Sequence, residues 1–259
     1  MSNELSYFER LAAQARAVVR RDPAALAQLA LALTNLAACL SDHGRSYEAL
    51  PLTREAVAYY RRIVDRDSHY LGEYATALHN LAIGLTGMRR SYEGLAAICD
   101  SVAIRHRLVS EHETPENRAS WAQALHTKGS ILNELGRHTE AVSVLQEATQ
   151  VLRPLAQAGL RGYLEDLADC EHAIGACLHD LADQRADAHL LIKAESRAGN
   201  AVRIRRGLFN PRKDPNMAEA LAGALYTHGA ILAALGQSRY AKRELREANR
   251  LSRAYARPA

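Results

Sequence analysis

The sequence predicts an all-α fold built from repeated pairs of helices. One stretch, Trp121–Leu152, reads as two amphipathic helices joined by a turn at Gly136-Arg137, because its apolar residues recur every three or four positions. The same unit returns along the chain at intervals of 45, 47, 46 and 54 residues, measured between the small residues Ala37, Ala82, Gly129, Gly175 and Gly229. Aromatic residues make up only 5% of the chain, which favours closely packed helices over β-sheet. A period in this range is typical of a continuous array of helix hairpins.

The first element is a single amphipathic helix over residues 4–21. Its apolar side is formed by Phe8, Leu11, Ala15, Val18 and Val19. Because the first hairpin of an array would otherwise expose an apolar face, we interpret this helix as a terminal cap.

Five hairpins follow, and with the cap they predict eleven helices in one domain, 1–259. Their expected bounds are 23–66, 68–112, 115–158, 160–209 and 215–256. Asp22-Pro23, Thr114-Pro115 and Asp214-Pro215 each combine an N-cap residue with a proline that suits the first helical position, and Asp67-Ser68 serves the second hairpin.

Small residues mark the places where paired helices approach closely, and Gly129 is the clearest of them. Two prolines, Pro51 and Pro154, are expected to bend or end their helices. The fourth hairpin contains extra chain over residues 182–191, which we interpret as a longer turn or helix.

The repeated residues resemble tetratricopeptide repeats across nearly the whole chain. The resemblance lies in Asn35-Leu36-Ala37 and Asn80-Leu81-Ala82, in Gly44 seven residues after Ala37, and in Ala49 and Ala56 of the second helix. The stretches 70–75 and 163–168, which begin Tyr-Leu and end in Ala, are similar to the lengthened bacterial variety of the repeat. The resemblance implies a right-handed α-solenoid that binds a protein or peptide in its concave groove, as a scaffold or regulatory adaptor.

By that resemblance, the groove is lined by one face of each first helix, which we call the ladder. Its candidate binding residues are Asn35, His79, Asn80, Gln123, His126, Asn133, Glu134, Asp169, His172, His179, Asp180 and Tyr226. The family's best-known peptide clamp holds a terminal carboxylate with Lys and Arg, and no ladder position carries either residue. Asp42, Glu134, Asp169 and Asp180 make the groove neutral to acidic, so we expect a neutral or basic partner segment, with binding that weakens as pH falls through about 6.5.

Two alternative functions remain open. Three ladder histidines suggest a sensor for a small molecule or metal, although no three ligands have the compact spacing of a zinc site, and we predict no cofactor and no metal. The second helices carry an arginine stripe that would suit an RNA-binding solenoid: Arg61, Arg62, Arg105, Arg107, Arg153, Arg205, Arg206 and Arg253. Aromatic residues for base stacking are not interleaved, so we expect these arginines to lie on the solvated outer face and to pair with neighbours such as Glu55, Asp65 and Glu147. We therefore regard nucleic acid as an unlikely partner.

Other classes of protein are disfavoured. The sequence contains no glycine-rich phosphate loop, HExxH motif or nucleophile elbow, so we do not predict an enzyme. The four cysteines, Cys39, Cys99, Cys170 and Cys177, lack CxxC spacing and are expected to be buried thiols. The net charge is only +4 and is spread along the chain, which is not a nucleic-acid signature by itself. No stretch suits a signal peptide or membrane span, which predicts a cytoplasmic protein. Both terminal helices are amphipathic with charged outer faces, so we expect a monomer.

Overall fold

A computed structural model of the chain describes residues 3–20, 22, 25–210 and 215–255. These residues group into two compact units, Met1–Asn117 and Arg118–Ala259, and the expectation of one continuous domain stays a prediction. The first unit contains α1 (Asn3–Val19), α2 (Leu26–Asp42), α3 (Ser46–Val64), α4 (Leu71–Gly87) and α5 (Ser91–Glu111), with a short 3-10 helix at Ser68–Tyr70.

Helix α6 (Pro115–Glu134) starts three residues before the unit boundary. The second unit continues with α7 (His138–Gln157), α8 (Arg161–Arg185), α9 (Ala188–Leu208), α10 (Pro215–Ala234) and α11 (Ser238–Ala254). The predicted all-α fold of five hairpins behind one leading helix is confirmed, and the described residues contain eleven α-helices and no strand.

The turn within each hairpin uses a left-handed residue to end the first helix. Gly44, Gly136 and Gly236 take this place with φ of +73°, +72° and +75°, values that cost glycine little because it has no Cβ. Arg89 (φ 61°) and Ala186 (φ 49°) take it in the second and fourth hairpins.

A bidentate ion pair follows the turn in three hairpins. Arg45 binds Glu48 through two hydrogen bonds of 2.7 Å each, and the Arg90–Glu93 and Arg137–Glu140 pairs repeat the geometry at 2.6–2.8 Å. The hydrogen bond from arginine lowers the pKa of each of these glutamates. Each pair joins the turn to the first turn of the second helix, where an acidic residue also complements the helix dipole.

Close helix packing occurs at the glycines that the periodicity indicated. A Cβ built on Gly129 would lie 2.5 Å from Cγ of Leu145 on α7, and one on Gly229 would lie 2.9 Å from Cγ of Leu245 on α11. These distances are too short for any side chain, so glycine is what lets each pair of helices approach.

The leading helix α1 packs on the first hairpin as predicted, with one difference in register. Leu5 and Ala12 are fully buried in the same cluster as Leu29, Leu33 and Ala56. Phe8, Leu11, Ala15 and Val19 pack against that cluster, but Val18 is exposed, so its predicted inward position is wrong.

The extra chain of the fourth hairpin lengthens a helix. Helix α8 has 25 residues, whereas the other first helices have 17 to 20, and α9 begins only three residues after α8 ends. The prediction of a longer helix is therefore confirmed.

The sequence predicted that each proline would bend or end its helix, and neither proline ends it. Pro51 and Pro154 lie inside α3 and α7, which continue to Val64 and Gln157.

Two of the predicted N-caps are present. Thr114 caps α6 by accepting a hydrogen bond from the Asn117 amide at 3.1 Å, and Asp67 caps the 3-10 helix by accepting one from the His69 amide at 2.9 Å. Pro23 and Asp214, which complete the other two predicted caps, lie outside the described residues.

Candidate functional site

The ladder residues of the first unit lie on α2 and α4. Asn35, His79 and Asn80 are each partly buried, and neighbouring Thr34 turns inward to donate a hydrogen bond of 2.9 Å to the Ala30 carbonyl. These three residues therefore form a half-exposed polar surface on each helix.

In the second unit, part of the ladder surrounds Arg205, a residue that the sequence analysis assigned to the arginine stripe of the second helices. Arg205 of α9 has only 5% of its surface exposed, and its guanidinium makes an ion pair with Asp169 of α8. The same guanidinium donates to the Ala220 carbonyl of α10 at 2.7 Å and to Nδ1 of His172 at 3.4 Å. The expected position of Arg205 on the solvated outer face is wrong, because its side chain lies among the first helices.

These contacts fix the tautomer of His172. A guanidinium can only donate, so Nδ1 accepts and the proton of the neutral ring lies on Nε2. Nε2 lies 2.9 Å from the hydroxyl of Thr227 on α10, to which it donates. His172 thus connects Arg205 to α10 through both ring nitrogens.

Burial keeps the two central histidines neutral. It lowers the pKa of His172 to about 4, with the Arg205 charge acting in the same direction and Asp169 against it. Burial also lowers the pKa of His126, again opposed by Asp169. The expected weakening of binding near pH 6.5 therefore does not apply to these two residues, since they protonate only at lower pH.

The remaining ladder residues of this unit serve different contacts. Gln123 donates to the carboxylate of Asp166 at 3.3 Å, and burial raises the pKa of Asp166. Asn133 lies 2.7 Å from His138 across the α6–α7 turn, so it stabilises the hairpin turn.

His179 and Asp180 approach each other at 3.7 Å, and Glu134 is exposed. Tyr226 on α10 has 64% of its surface exposed although it is aromatic. It is thus the largest ladder side chain of this unit that is open to a partner.

We call Arg205, Asp169, His172 and Thr227 the Arg205 cluster. A depression of about 260 Å³ opens beside it. Its lining residues are Glu165, Asp169, Arg205, Asn216, Met217 and Ala220. Two carboxylates and one buried guanidinium give this lining a net negative charge. The depression is large enough for one long side chain, and its charge suits a basic or neutral one.

Arg205 had a sequence signal that could have revealed its burial. It lies four residues after Ala201 of α9, and the equivalent residues after Ala56 and Ala148 are Tyr60 and Leu152, both fully buried. The position of Arg205 in the repeat thus indicates burial, whereas the charge of its side chain favours the outer face.

Most of the arginine stripe is engaged by other side chains. Arg107 pairs with Glu111, Arg153 approaches buried Glu171 at 3.8 Å, and Arg105 donates to Thr76 at 3.1 Å. Arg206 pairs with Glu244 at 3.2 Å and with Glu247 at 2.7 Å. The partners differ from those expected, and Glu55 instead pairs with Arg16 of α1.

Three cysteines, Cys39, Cys170 and Cys177, are buried and Cys99 is partly buried, all as free thiols. Burial raises the pKa of Cys177 to about 12. Across the described ranges, no group of three or more His, Cys, Asp or Glu side chains could hold a metal ion, and no helix has the length and apolar character to cross a membrane.

Comparison with known proteins identifies the repeat. The tetratricopeptide-repeat family profile matches residues 122–151, within the unit that the sequence pattern marks most clearly. A search of curated protein sequences finds no match. The chain thus contains a tetratricopeptide repeat, and solved structures extend the similarity to the remaining hairpins.

Three solved structures illustrate this likeness. BtubC (BKLC) from P. vanneervenii is 18% identical, with a TM-score of 0.72 over 99% of this chain and 93% of that one. YrrB, a TPR protein with an unusual peptide-binding site, is 16% identical with a TM-score of 0.52 over 92% and 91% of the two chains. A Rap protein complexed with competence and sporulation factor is 14% identical with a TM-score of 0.63, over 90% of this chain and 59% of that one. These likenesses show that the chain has the fold of tetratricopeptide-repeat proteins.

Proposed function

We propose that this chain is a non-catalytic scaffold or adaptor that binds a protein or peptide on its ladder face. The coarser part of this proposal, a protein-binding repeat protein, is supported by the fold and by two similar structures, of which one has a peptide-binding site and the other was solved with competence and sporulation factor. The finer part concerns the ladder of the second unit, from Gln123 to Tyr226.

The Arg205 cluster is the observation that carries the proposal. Three helices, α8, α9 and α10, are joined there by an ion pair and hydrogen bonds before any partner binds. A rigid surface loses little conformational entropy on association, which favours affinity. Tyr226 supplies an exposed aromatic group of the kind that contributes most to peptide binding.

The charge around the depression suggests the partner's chemistry. Glu165 and Asp169 line it, and Asp169 keeps 46% of its side chain exposed while it compensates Arg205. A lysine or neutral side chain of the partner would fit the charge of this depression, whereas an acidic side chain would be repelled by the two carboxylates. We therefore propose a neutral to basic partner segment, bound by a monomeric protein in the cytoplasm.

Selection from a random peptide library tests this proposal. The immobilised protein should enrich neutral or basic peptides, and the affinity of the basic ones should fall about threefold to tenfold in Glu165→Gln, because this change removes one carboxylate from the lining. Among the residues that the structure describes, Glu165 makes an ion pair with Arg161 alone, one turn away on the surface, so the fold should be unaffected. Enrichment of acidic peptides, or affinity unchanged by Glu165→Gln, would contradict the proposed binding mode.

A further inference from the structure

Helix α11 has one face formed almost entirely by cations. Its basic residues are Arg239, Lys242, Arg243, Arg246, Arg250 and Arg253, and all six are exposed. At 3.6 residues per turn, these six positions fall within an arc of about 100° and extend over about 21 Å of helix. We call this surface the basic face.

The acidic residues of the same helix do not neutralise the basic face. Glu244 is buried and pairs with Arg206 of α9 at 3.2 Å, and Glu247 pairs with the same guanidinium at 2.7 Å. Within residues 215–255 and the other described ranges, none of the six cations of the basic face makes an ion pair. The helix therefore turns its carboxylates toward α9 and its cations toward solvent.

We propose that the basic face of α11 binds the phosphate backbone of a nucleic acid. Successive cations along its centre are three or four residues apart, about 4.5 to 6 Å along the helix, which resembles the spacing of phosphates on a strand. Arg246, Arg250 and Arg253 also line a depression of about 560 Å³ with Asn249. Arginine forks bind phosphate oxygens through paired hydrogen bonds, and all five basic-face arginines lie on consecutive turns of the helix.

Other anionic partners suit this face less well. The centre of a protein interface is usually aromatic or apolar, and the only large apolar side chain exposed on α11 is Tyr240, whereas nucleic-acid interfaces are polar and strongly basic. A helix that inserts into a membrane surface needs its apolar side free, but here Ala241, Ala248 and Leu251 are buried. A second copy of the chain that docked through the same face would oppose like charges.

The sequence alone disfavoured nucleic acid because aromatic residues are not interleaved with arginine. Phosphate contacts do not need stacking, since they are sequence-independent and electrostatic. The inference concerns a surface separate from the ladder, so it stands or falls independently of the proposed peptide binding.

Fluorescence anisotropy with a labelled 20-nucleotide single-stranded RNA and a 20-base-pair DNA duplex tests the inference. With about four phosphate contacts, the dissociation constant for the RNA should rise roughly 50-fold between 50 and 200 mM KCl. Arg243→Gln/Arg246→Gln/Arg250→Gln should weaken binding at least tenfold and reduce the salt slope by about two units. Replacement of the same three arginines by lysine should change the dissociation constant by no more than about threefold. This variant keeps the charge and so separates loss of charge from damage to the helix.

The matched control is Arg10→Gln/Arg20→Gln/Lys193→Gln, which removes the same charge from exposed positions outside α11. This control should change affinity less than twofold. Equal weakening in both glutamine variants, or no salt-sensitive binding by the wild type at 50 mM KCl, would overturn the proposal. Tighter binding to phosphatidylserine vesicles or to a polyglutamate peptide than to either nucleic acid would overturn it as well.

Discussion

A buried guanidinium needs a partner for its charge, and Arg205 has one in the half-exposed carboxylate of Asp169. The Ala220 carbonyl and His172 accept its remaining hydrogen bonds. Removing one member of such a group leaves the other buried and uncompensated, which costs much more than the net value of the pair. Asp169 is therefore a residue of the fold as well as of the candidate binding surface.

Asp169→Asn should lower the free energy of unfolding by about 2 kcal/mol, a value reduced for the partial exposure of Asp169. Urea unfolding followed by circular dichroism measures the change. Asp180→Asn is the matched control, because Asp180 has the same side-chain exposure of 46% and approaches His179 at 3.7 Å but no buried arginine in the described part of the chain.

The double variant Asp169→Asn/Arg205→Leu should recover most of the lost stability, since leucine occupies the equivalent position at Leu152. A single variant as stable as the wild type would show that Arg205 is not buried as described. The loss of stability expected for Asp169→Asn also limits how the ladder can be tested. A triple alanine variant at His126, Asp169 and His172 would disturb the fold as well as the ladder surface.

The pH dependence of stability should reflect His172. Its pKa is about 4 in the folded protein against an ordinary value of 6.5, so between these values the unfolded chain binds a proton that the folded protein does not. Stability must therefore fall as pH decreases from 6.5 to about 4, by on the order of 2 kcal/mol from this residue.

His172→Gln should remove that contribution, because glutamine can still donate to Thr227 but does not titrate. Unfolding at pH 7.0 and pH 4.5 should show a smaller loss for the variant than for the wild type. Identical losses of stability in the variant and the wild type would mean that folding does not lower the pKa of His172.

At the level of elements, Gly129 determines how closely α6 and α7 pack. Gly129→Leu should lower the free energy of unfolding by about 3 kcal/mol, because even a Cβ would lie 2.5 Å from Leu145. Thermal melts of the full chain measure this.

Gly72→Ala provides the control on a first helix, since nothing lies within 4 Å of its Cβ position. It should leave the melting temperature unchanged or raise it slightly, as alanine is the better helix former. Similar melting temperatures for Gly129→Leu and the wild type would refute the close approach of these helices.

The helices and the close approach at Gly129 could be predicted because both follow from periodicity. Side chains at three- and four-residue steps define a buried face, and small residues at one position in each repeat define a crossing. The polar cluster could not be predicted in the same way. Whether Arg205 turns outward or between helices depends on Asp169 and Ala220, which lie 36 and 15 residues away in sequence.

The prolines show a different limit of sequence reasoning. Pro51 and Pro154 each remove one backbone hydrogen bond, and the local expectation is a bend or an end of the helix. Both helices continue through the proline because buried residues surround it: Ala49, Leu50 and Thr53 in α3, and Leu152, Leu155 and Ala156 in α7. Tertiary contacts therefore outweighed a local preference.

At the scale of the molecule, two kinds of surface are separated in the second unit. The ladder combines neutral histidines, carboxylates and the exposed ring of Tyr226, whereas α11 presents cations without exposed acids. The proposed peptide site and the proposed nucleic-acid site therefore lie on different surfaces. The ladder remains the central claim, because the repeat fold and the rigid Arg205 cluster both support it.

The affinity of a library-selected peptide for two tyrosine variants tests that claim most directly. Tyr226 lies on the ladder with 64% exposure, and Tyr240 lies on α11 with 60% exposure, so the two alanine variants remove the same group from different surfaces. By isothermal titration calorimetry, Tyr226→Ala should weaken binding at least tenfold, as expected for an aromatic anchor, and Tyr240→Ala should change it less than twofold. Loss of binding in Tyr240→Ala with full affinity in Tyr226→Ala would contradict recognition by the ladder.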